Sequence, residues 1–233
     1  MTWNVHGAAQ PDLGRLAAVM VDARPDAVAV QEIRRGQARR LATRLGWHHE
    51  WVFKHNGYWP LWWRAEGLAI LAPSPLDDVW RECLSHRVGR RSHHRRVAIG
   101  ATVRRGIGDD LHLADTHLAT NPPAERIAQV VRLLAALPSG DRPLVVAGDL
   151  NARDEIELIH SFAPAGLVDA EGADTSPAVA PVQRIDYVLV PTAAEVTQRW
   201  TPDGGPSWAA LSDHLPTLVE FRSAPSSGAA PSR

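Results

Sequence analysis

The feature of this chain that most constrains its fold is a set of short apolar runs, each of strand length, spread along the sequence. The runs are DAVAVQE (26–32), GLAIL (67–71), VAIGATV (97–103), LHLADTHL (111–118), PLVVAG (143–148), RIDYVLV (184–190) and PTLVEF (216–221). Runs of this length are typical of β-strands. Because they are too many and too short for a helix bundle, the core is predicted to be a sheet.

Stripes of apolar residues at helical spacing lie between these runs. The first two stripes are Leu13, Leu16, Ala17, Met20 and Val21, then Ala38, Leu41, Ala42 and Leu45. A third helix is predicted after Asn121-Pro122-Pro123, with an inward face of Ile127, Val130, Val131 and Leu134. A short helix is predicted to open at Asp154 and Glu155. Together the elements predict one α/β domain over residues 1–222, followed by a disordered Ser/Pro/Ala-rich tail over 223–233.

Composition excludes several classes of protein. The chain is 45% hydrophobic and 22% charged, and no window approaches the roughly 18 consecutive apolar residues of a membrane-spanning helix. Cys83 is the only cysteine, which excludes an internal disulfide and a thiolate-rich metal site. Any bound metal must therefore be held by oxygen or imidazole. The chain opens MTWNVHG, which lacks the basic and apolar regions of a signal peptide, so a cytoplasmic protein is expected.

Polar side chains follow the apolar runs at the points where the predicted strands end. They are Asn4, Glu32, Asp115, His117, Asp149, Asn151, Asp186, Asp213 and His214. A strand end can hold a carboxylate rigidly, and several strand ends can converge on one site. Each residue alone is also explained by a solvated strand end, an Asx turn or a cap.

The order of the short motifs that contain these residues is far more specific than any one residue. WNVHG (3–7), QE (31–32), DTHL (115–118), GDLN (148–151), RIDYVL (184–189) and SDHLP (212–216) resemble the endonuclease/exonuclease/phosphatase superfamily over about residues 2–221. The resemblance implies a four-layer α-β-β-α sandwich, in which two mixed sheets pack face to face with helices outside. It also implies a metal-dependent phosphoesterase site at one end of the sheets.

The residue types suit that chemistry. The carboxylate of Glu32 and the amide oxygen of Asn4 are hard ligands that suit Mg²⁺ or Mn²⁺, and Asp213 is expected to join them or to lie behind them. His214 can accept a proton near neutral pH, and Asp186 can orient its other ring nitrogen.

The resemblance implies roles for further residues. Asp149 and Asn151 would position the attacking water and the scissile phosphate, with either Asp149 or His214 as the base. His117 would lie beside the phosphate, as a hydrogen-bond donor or as an acid for the leaving group. Glu66 is a candidate partner of His117, and Arg96 is a candidate phosphate contact; solvated strand flanks explain both equally well.

These observations predict a Mg²⁺- or Mn²⁺-dependent phosphodiester hydrolase that acts by direct attack of water, without a covalent intermediate. Nucleic acid is the leading substrate class, cleaved in an endonuclease manner by a monomer. The alternatives are a phospholipid phosphodiesterase of sphingomyelinase type and a phosphomonoesterase for a small metabolite. A non-enzymatic scaffold is disfavoured because it would not need the full set of acidic and histidine residues.

Two unusual segments bear on the substrate. WHHEWVFKHNGYWPLWW (47–63) is interpreted as core packing, as a stacking surface for unpaired bases, or as a patch that contacts a membrane surface. RVGRRSHHRR (87–96) is interpreted as a phosphate-binding loop or as a solvated loop. Of the 25 Lys and Arg residues only Lys54 is a lysine, and arginine suits bidentate phosphate contacts.

The first strand departs from the family pattern. Only Met1 and Thr2 precede Trp3, where the family has several apolar residues before its WN pair. The expectation is that translation starts further upstream, and the expected cytoplasmic location depends on this point.

Overall fold

The first sheet holds the N-terminal part of the chain. The structure is a computed structural model that describes residues 1–56, 60–85, 88–106, 110–153 and 155–223. The strands of this sheet, in spatial order β1-β2-β4-β3, are β1 (Thr2–Asn4), β2 (Val28–Arg34), β3 (His48–His55) and β4 (Glu66–Ala72). β1 runs parallel to β2, and the other neighbours are antiparallel.

The second sheet is larger, with the spatial order β5-β6-β7-β8-β10-β9. Its strands are β5 (Leu76–Cys83), β6 (Val97–Val103), β7 (Leu111–His117), β8 (Leu144–Asp149), β9 (Leu167–Asp169) and β10 (Asp186–Pro191). β7 and β8 are parallel, so their carboxyl ends lie at the same edge of the sheet. A separate two-stranded antiparallel sheet pairs β11 (Glu195–Trp200) with β12 (Leu218–Arg222).

Helices cover the outer faces of the two sheets. They are α1 (Leu13–Ala23), α2 (Arg35–Leu45), α3 (Pro123–Ala136), α4 (Ile156–His160) and α5 (Pro206–Ala209). Leu16 of α1 and Leu41 of α2 pack on the first sheet, and Leu133 of α3 packs on the second. Between the sheets, side chains such as Ile70 and Ile99 form a third buried cluster. The resulting α-β-β-α order confirms the four-layer sandwich of two mixed sheets.

The strand-like runs and the start of α3 agree with the sequence analysis, but the inward face predicted for α3 was right only for Val130 and Leu134, which pack in the cluster on the second sheet. Ile127 and Val131 are 54% and 62% exposed. The buried residues of α3 are Arg126, Gln129, Val130 and Leu133. The apolar pattern did not predict that Arg126 and Gln129 are buried, because these are polar side chains whose hydrogen bonds are satisfied inside the protein.

Those polar side chains hold the loop that follows β7. Arg126 donates to the carbonyls of Ala119 and Thr120, and Gln129 accepts a hydrogen bond from the Ala119 amide. α3 therefore fixes the backbone beside His117, the last residue of β7.

Other predictions of elements need smaller corrections. Val21, assigned to the buried stripe of α1, is 54% exposed. Asp154, predicted to open the short helix, and residues 224–233 of the predicted tail lie outside the described residues. No described helix combines the length and the apolar character that crossing a lipid bilayer requires.

The corrected face of α3 gives a stability prediction. Leu133→Ala is expected to lower the free energy of unfolding by about 2–5 kcal/mol, because it leaves a cavity in the cluster under the second sheet. Val131→Ala, two residues away and exposed, should change it by only about 0.5 kcal/mol. Urea unfolding of both variants measures the difference, and equal losses would contradict the assigned face.

Candidate active site

Strand register places three of the predicted site residues side by side. His117 of β7 pairs with Asp149 of β8, and Asp149 pairs in turn with Asp186 of β10. Residues paired across neighbouring strands project to the same face of a sheet. The three side chains are nearly or fully buried, so the second sheet presents them as one rigid row at its edge.

Asp149 lies at the centre of the site. Its Oδ2 accepts a hydrogen bond from Asn4 Nδ2 (3.0 Å), and its Oδ1 accepts one from the backbone amide of Asn151 (3.0 Å). The Nε2 atoms of His117 and His214 lie 3.6 and 3.9 Å from Asp149 Oδ2. One carboxylate thus faces two imidazoles, and its remaining contacts fix its orientation.

His214 and Asp186 form the pair that the sequence predicted. His214 Nδ1 lies 2.8 Å from Asp186 Oδ2, and the Thr175 hydroxyl donates to the same carboxylate oxygen (2.5 Å). The indole of Trp3 donates to the His214 carbonyl (2.9 Å), which anchors the histidine to the first sheet. The sequence analysis missed Thr175, because it lies in a loop between strands with no apolar run before it.

Burial and charge separate the proton affinities of these groups. Burial and the neighbouring Asp186 raise the pKa of Asp149 to about 7. Burial alone would lower the pKa of His214, but the charge and hydrogen bond of Asp186 raise it to about 10. Burial, assisted by the cations Lys54 and Arg96, lowers the pKa of His117 well below its usual range.

Glu32 lies where β2 is distorted. The register of β2 against β4 shifts between Val30 and Ile33, and Glu32 has a φ of 55°, in the left-handed region. A bulge of this kind re-aims a side chain, and a non-glycine residue at positive φ suggests a functional constraint. Glu32 Oε1 lies 3.8 Å from His117 Nδ1, a ring nitrogen with no hydrogen-bond partner within the described chain. Burial, then repulsion by Glu66, raises the pKa of Glu32.

Two sets of side chains could hold a metal ion. The predicted set has oxygen donors only: Glu32, the Asn4 amide and Asp213, which is exposed and lies 3.5 Å from His6 Nδ1. The Asn4–Asp149 hydrogen bond leaves the Asn4 amide oxygen to accept from the His6 amide and to serve as a ligand. In a second set, Asp149, Asp186 and His214, the candidate ligand atoms lie within 4.8 Å of one another. The first set offers oxygen donors alone, which are the ligands that Mg²⁺ prefers, whereas the second set includes an imidazole whose Nδ1 bonds Asp186.

Glu66 is not placed as the sequence suggested. Its Oε1 bonds Lys54 Nζ (2.7 Å) and lies 3.7 Å from His55 Nδ1, instead of pairing with His117. The partner of the Glu66 carboxylate is therefore the buried Lys54 and not His117. Lys54 was missed as a site residue, although it is the only lysine of the chain.

Arg96 is buried beside the site. Its Nε donates to the Leu118 carbonyl (3.0 Å) and its Nη1 to the His93 carbonyl (2.9 Å). The charges of Asp149 and Glu32 act on its guanidinium, which places a fixed cation close to both carboxylates.

The two unusual segments divide between core and surface. Trp51 donates its indole hydrogen to the Ile33 carbonyl, whereas Trp62 and Trp63 are exposed. Trp59 and Arg87 lie outside the described residues. Arg95 binds the carbonyls of Phe53 and Lys54, so the arginine segment packs against the end of β3.

Comparisons with known proteins agree with this architecture. A model of the Endonuclease/Exonuclease/phosphatase family matches residues 1–214. No curated protein matches the chain in sequence. A Bacteroides vulgatus endonuclease/exonuclease/phosphatase superposes with a TM-score of 0.79 at 20% identity, covering 96% of this chain and 97% of that one.

Two further similar structures carry different titles. A Bacteroides thetaiotaomicron mannosyl-6-phosphatase has a TM-score of 0.72 at 16% identity, covering 95% of this chain and 98% of that one. The human nocturnin catalytic domain with bound sulfate has a TM-score of 0.71 at 23% identity, covering 94% and 92%. At these identities the likeness shows a shared fold.

The His214–Asp186 pair gives a pH prediction. Asp186→Asn should lower the pKa of His214 from about 10 toward 6.5, because it removes the carboxylate charge. A proton NMR titration of the His214 ring in metal-free protein measures this shift. Asp203→Asn, at an exposed position, is the matched control and should leave the titration unchanged.

The same pair links folding to pH. Because the folded-state pKa of His214 lies above its ordinary value, the pair stabilises the fold fully below about pH 6.5. This contribution is lost as the pH rises through about 10. The stability difference between wild type and Asp186→Asn should therefore shrink across that window, and a difference independent of pH would contradict the pairing.

Proposed function

The chain belongs to the endonuclease/exonuclease/phosphatase family, and on that premise we propose that it is a Mg²⁺- or Mn²⁺-dependent phosphodiesterase acting on nucleic acid. The observation that supports the proposal is the convergence of two imidazoles on one buried carboxylate, Asp149, with the oxygen donors of Glu32 and Asn4 close by. Phosphodiester hydrolysis needs both parts: a group that takes a proton from water, and positive charge that neutralises the phosphate oxygens.

Glu32 and the Asn4 amide, with Asp213 nearby, would hold the metal ion. A bound Mg²⁺ or Mn²⁺ supplies positive charge that stabilises the phosphate in the transition state. The side-chain cations Lys54 and Arg96 both lie close enough to Glu32 to interact with its charge, and they add to this positive field.

Asp149 is proposed as the group that accepts the proton of the attacking water as the water oxygen bonds to phosphorus. The bond from phosphorus to the leaving oxygen breaks in the same reaction, and the departing alkoxide takes its proton from solvent. Its pKa of about 7 suits proton transfer near neutral pH. His214, with a pKa of about 10, is cationic at that pH and donates a hydrogen bond to a phosphate oxygen. Asn151 holds Asp149 through its backbone amide, so it positions the base.

His117 is proposed as a hydrogen-bond donor to the phosphate. Its lowered pKa keeps the imidazole neutral, which disfavours a role as the acid that protonates the leaving group. A neutral ring donates through one nitrogen only, and Glu32 lies 3.8 Å from Nδ1.

A phospholipid phosphodiesterase is the second candidate function. The observation that favours it is the exposure of Trp62 and Trp63, because tryptophan is enriched where proteins meet lipid head groups. The arginines around these tryptophans favour nucleic acid instead.

Hydrolysis of bis(p-nitrophenyl) phosphate tests the reaction class. The wild type should hydrolyse this diester with Mg²⁺ or Mn²⁺ and stop when EDTA is added. Asp149→Asn and Glu32→Gln should each lower kcat by roughly 10²- to 10⁴-fold, because they remove the base and a ligand. Glu157→Gln makes the same chemical change at an exposed position of α4 and should retain wild-type activity.

The contradicting results are specific. A folded wild type without activity under either metal would favour a non-enzymatic scaffold. Full activity of the wild type in EDTA would contradict the proposed mechanism, and so would full activity of Asp149→Asn.

A further inference from the structure

A groove of about 980 Å³ lies beside the candidate active site. Its walls combine aromatic rings with cations. The lining includes Phe53, Trp62, Trp63, Arg35, Arg39 and Arg90. No acidic side chain lines it within the described part of the chain.

Two strands connect residues that line the groove to residues of the site along the backbone. β2 brings Glu32 to the site, and Arg35, which follows directly after β2, lines the groove. Likewise, Glu66 begins β4 beside Lys54, and the preceding residue, Ala65, lines the groove. A chain-like ligand held at Asp149 could therefore extend into the groove.

Two indole rings in the groove are open to solvent. Trp62 and Trp63 are 68% and 57% exposed, and their ring centroids lie 6.1 Å apart at an interplanar angle of 83°. Leaving two large aromatic rings in water forgoes the stabilisation that burial would give, so a pair of them marks a binding surface. Aromatic faces of this kind stack on unpaired bases without regard to sequence.

Three of the arginines that line the groove have no carboxylate partner among the described residues. Among the described residues, no Asp or Glu forms an ion pair with Arg35, Arg39 or Arg90. The Arg90 guanidinium lies 5.6 Å from the Phe53 ring centroid. Three guanidinium groups without a counter-charge, set among aromatic rings, favour an anionic ligand that has flat apolar faces.

From these features we propose that the groove binds a single-stranded nucleic acid, with unpaired bases on Trp62 and Trp63 and phosphates on the arginines. The proposal rests on the proposed function, because it takes the scissile phosphate of the same strand to lie at Asp149. A membrane surface fits less well, since the tryptophans line a concave groove with cations on its walls.

Fluorescence anisotropy of a labelled oligothymidylate tests the proposal. The full chain is titrated in EDTA, which prevents cleavage, so binding is measured apart from catalysis. The double variant Trp62→Ala/Trp63→Ala should weaken binding about tenfold or more, since each stacked base contributes substantially. Both side chains are exposed, and circular dichroism confirms that the variant folds.

Charge reversal on α2 supplies a matched control. Arg39→Glu, in the groove, should weaken oligothymidylate binding severalfold and reduce its salt dependence. Arg40→Glu makes the same change at the next residue, which is exposed and does not line the groove, and should have a much smaller effect.

The outcomes separate the groove from the reaction. Oligothymidylate binding that is the same in the wild type and the double variant would overturn the proposal, as would equal effects of the two charge reversals. Loss of binding to phosphatidylcholine/phosphatidylserine vesicles in the double variant, with oligothymidylate binding intact, would assign the tryptophans to lipid. Hydrolysis of the small diester tests the proposed function alone, so failure of one claim is distinguished from failure of the other.

Discussion

The hydrogen bond from Asn4 to Asp149 is the contact on which the site depends, because it joins the ends of the two sheets. Asn4 ends β1 in the first sheet and Asp149 ends β8 in the second, and both side chains are almost fully buried. A buried polar contact of this kind is costly to break, since both partners would lose their compensation for desolvation. Gln31 and Asp115 repeat the connection one strand further along each sheet, at 2.7 Å. The packing of the sheets and the geometry of the site are thus set by the same side chains.

Burial and neighbouring charges give the titratable groups of the site different pKa values. Asp149 and His214 are both buried, yet the pKa of one is raised to about 7 and that of the other to about 10. The difference arises because His214 has a carboxylate, Asp186, in hydrogen-bond contact, whereas Asp149 gains its proton affinity from burial and from repulsion by that same carboxylate. Glu32 stands apart on a bulge of β2, where its oxygen atoms remain partly accessible. These differences underlie the proposal that one cluster handles protons while a neighbouring set of oxygen atoms holds a cation.

The sequence allowed the layers of the fold to be predicted, together with which polar strand ends lie close to one another, because both follow from where apolar runs end. Strand register alone brings His117, Asp149 and Asp186 together, so their order along the chain carried most of the information. The inward face of α3 could not be read in the same way. Arg126 and Gln129 are buried because they bind backbone groups of a loop, and hydrophobic periodicity does not register such bonds. The prediction that Glu66 pairs with His117 was wrong for a related reason. The ion pair of Glu66 with Lys54 depends on a tertiary contact between β3 and β4, which the sequence does not show.

The claim that the metal ligands and the proton-handling cluster are separate is tested most directly by anomalous X-ray diffraction from crystals grown with Mn²⁺. The account predicts one anomalous peak bonded to Glu32 and the Asn4 amide oxygen, with the His214–Asp186 hydrogen bond intact. A peak enclosed by Asp149, Asp186 and His214 would contradict it, because the same atoms could not then exchange protons with water.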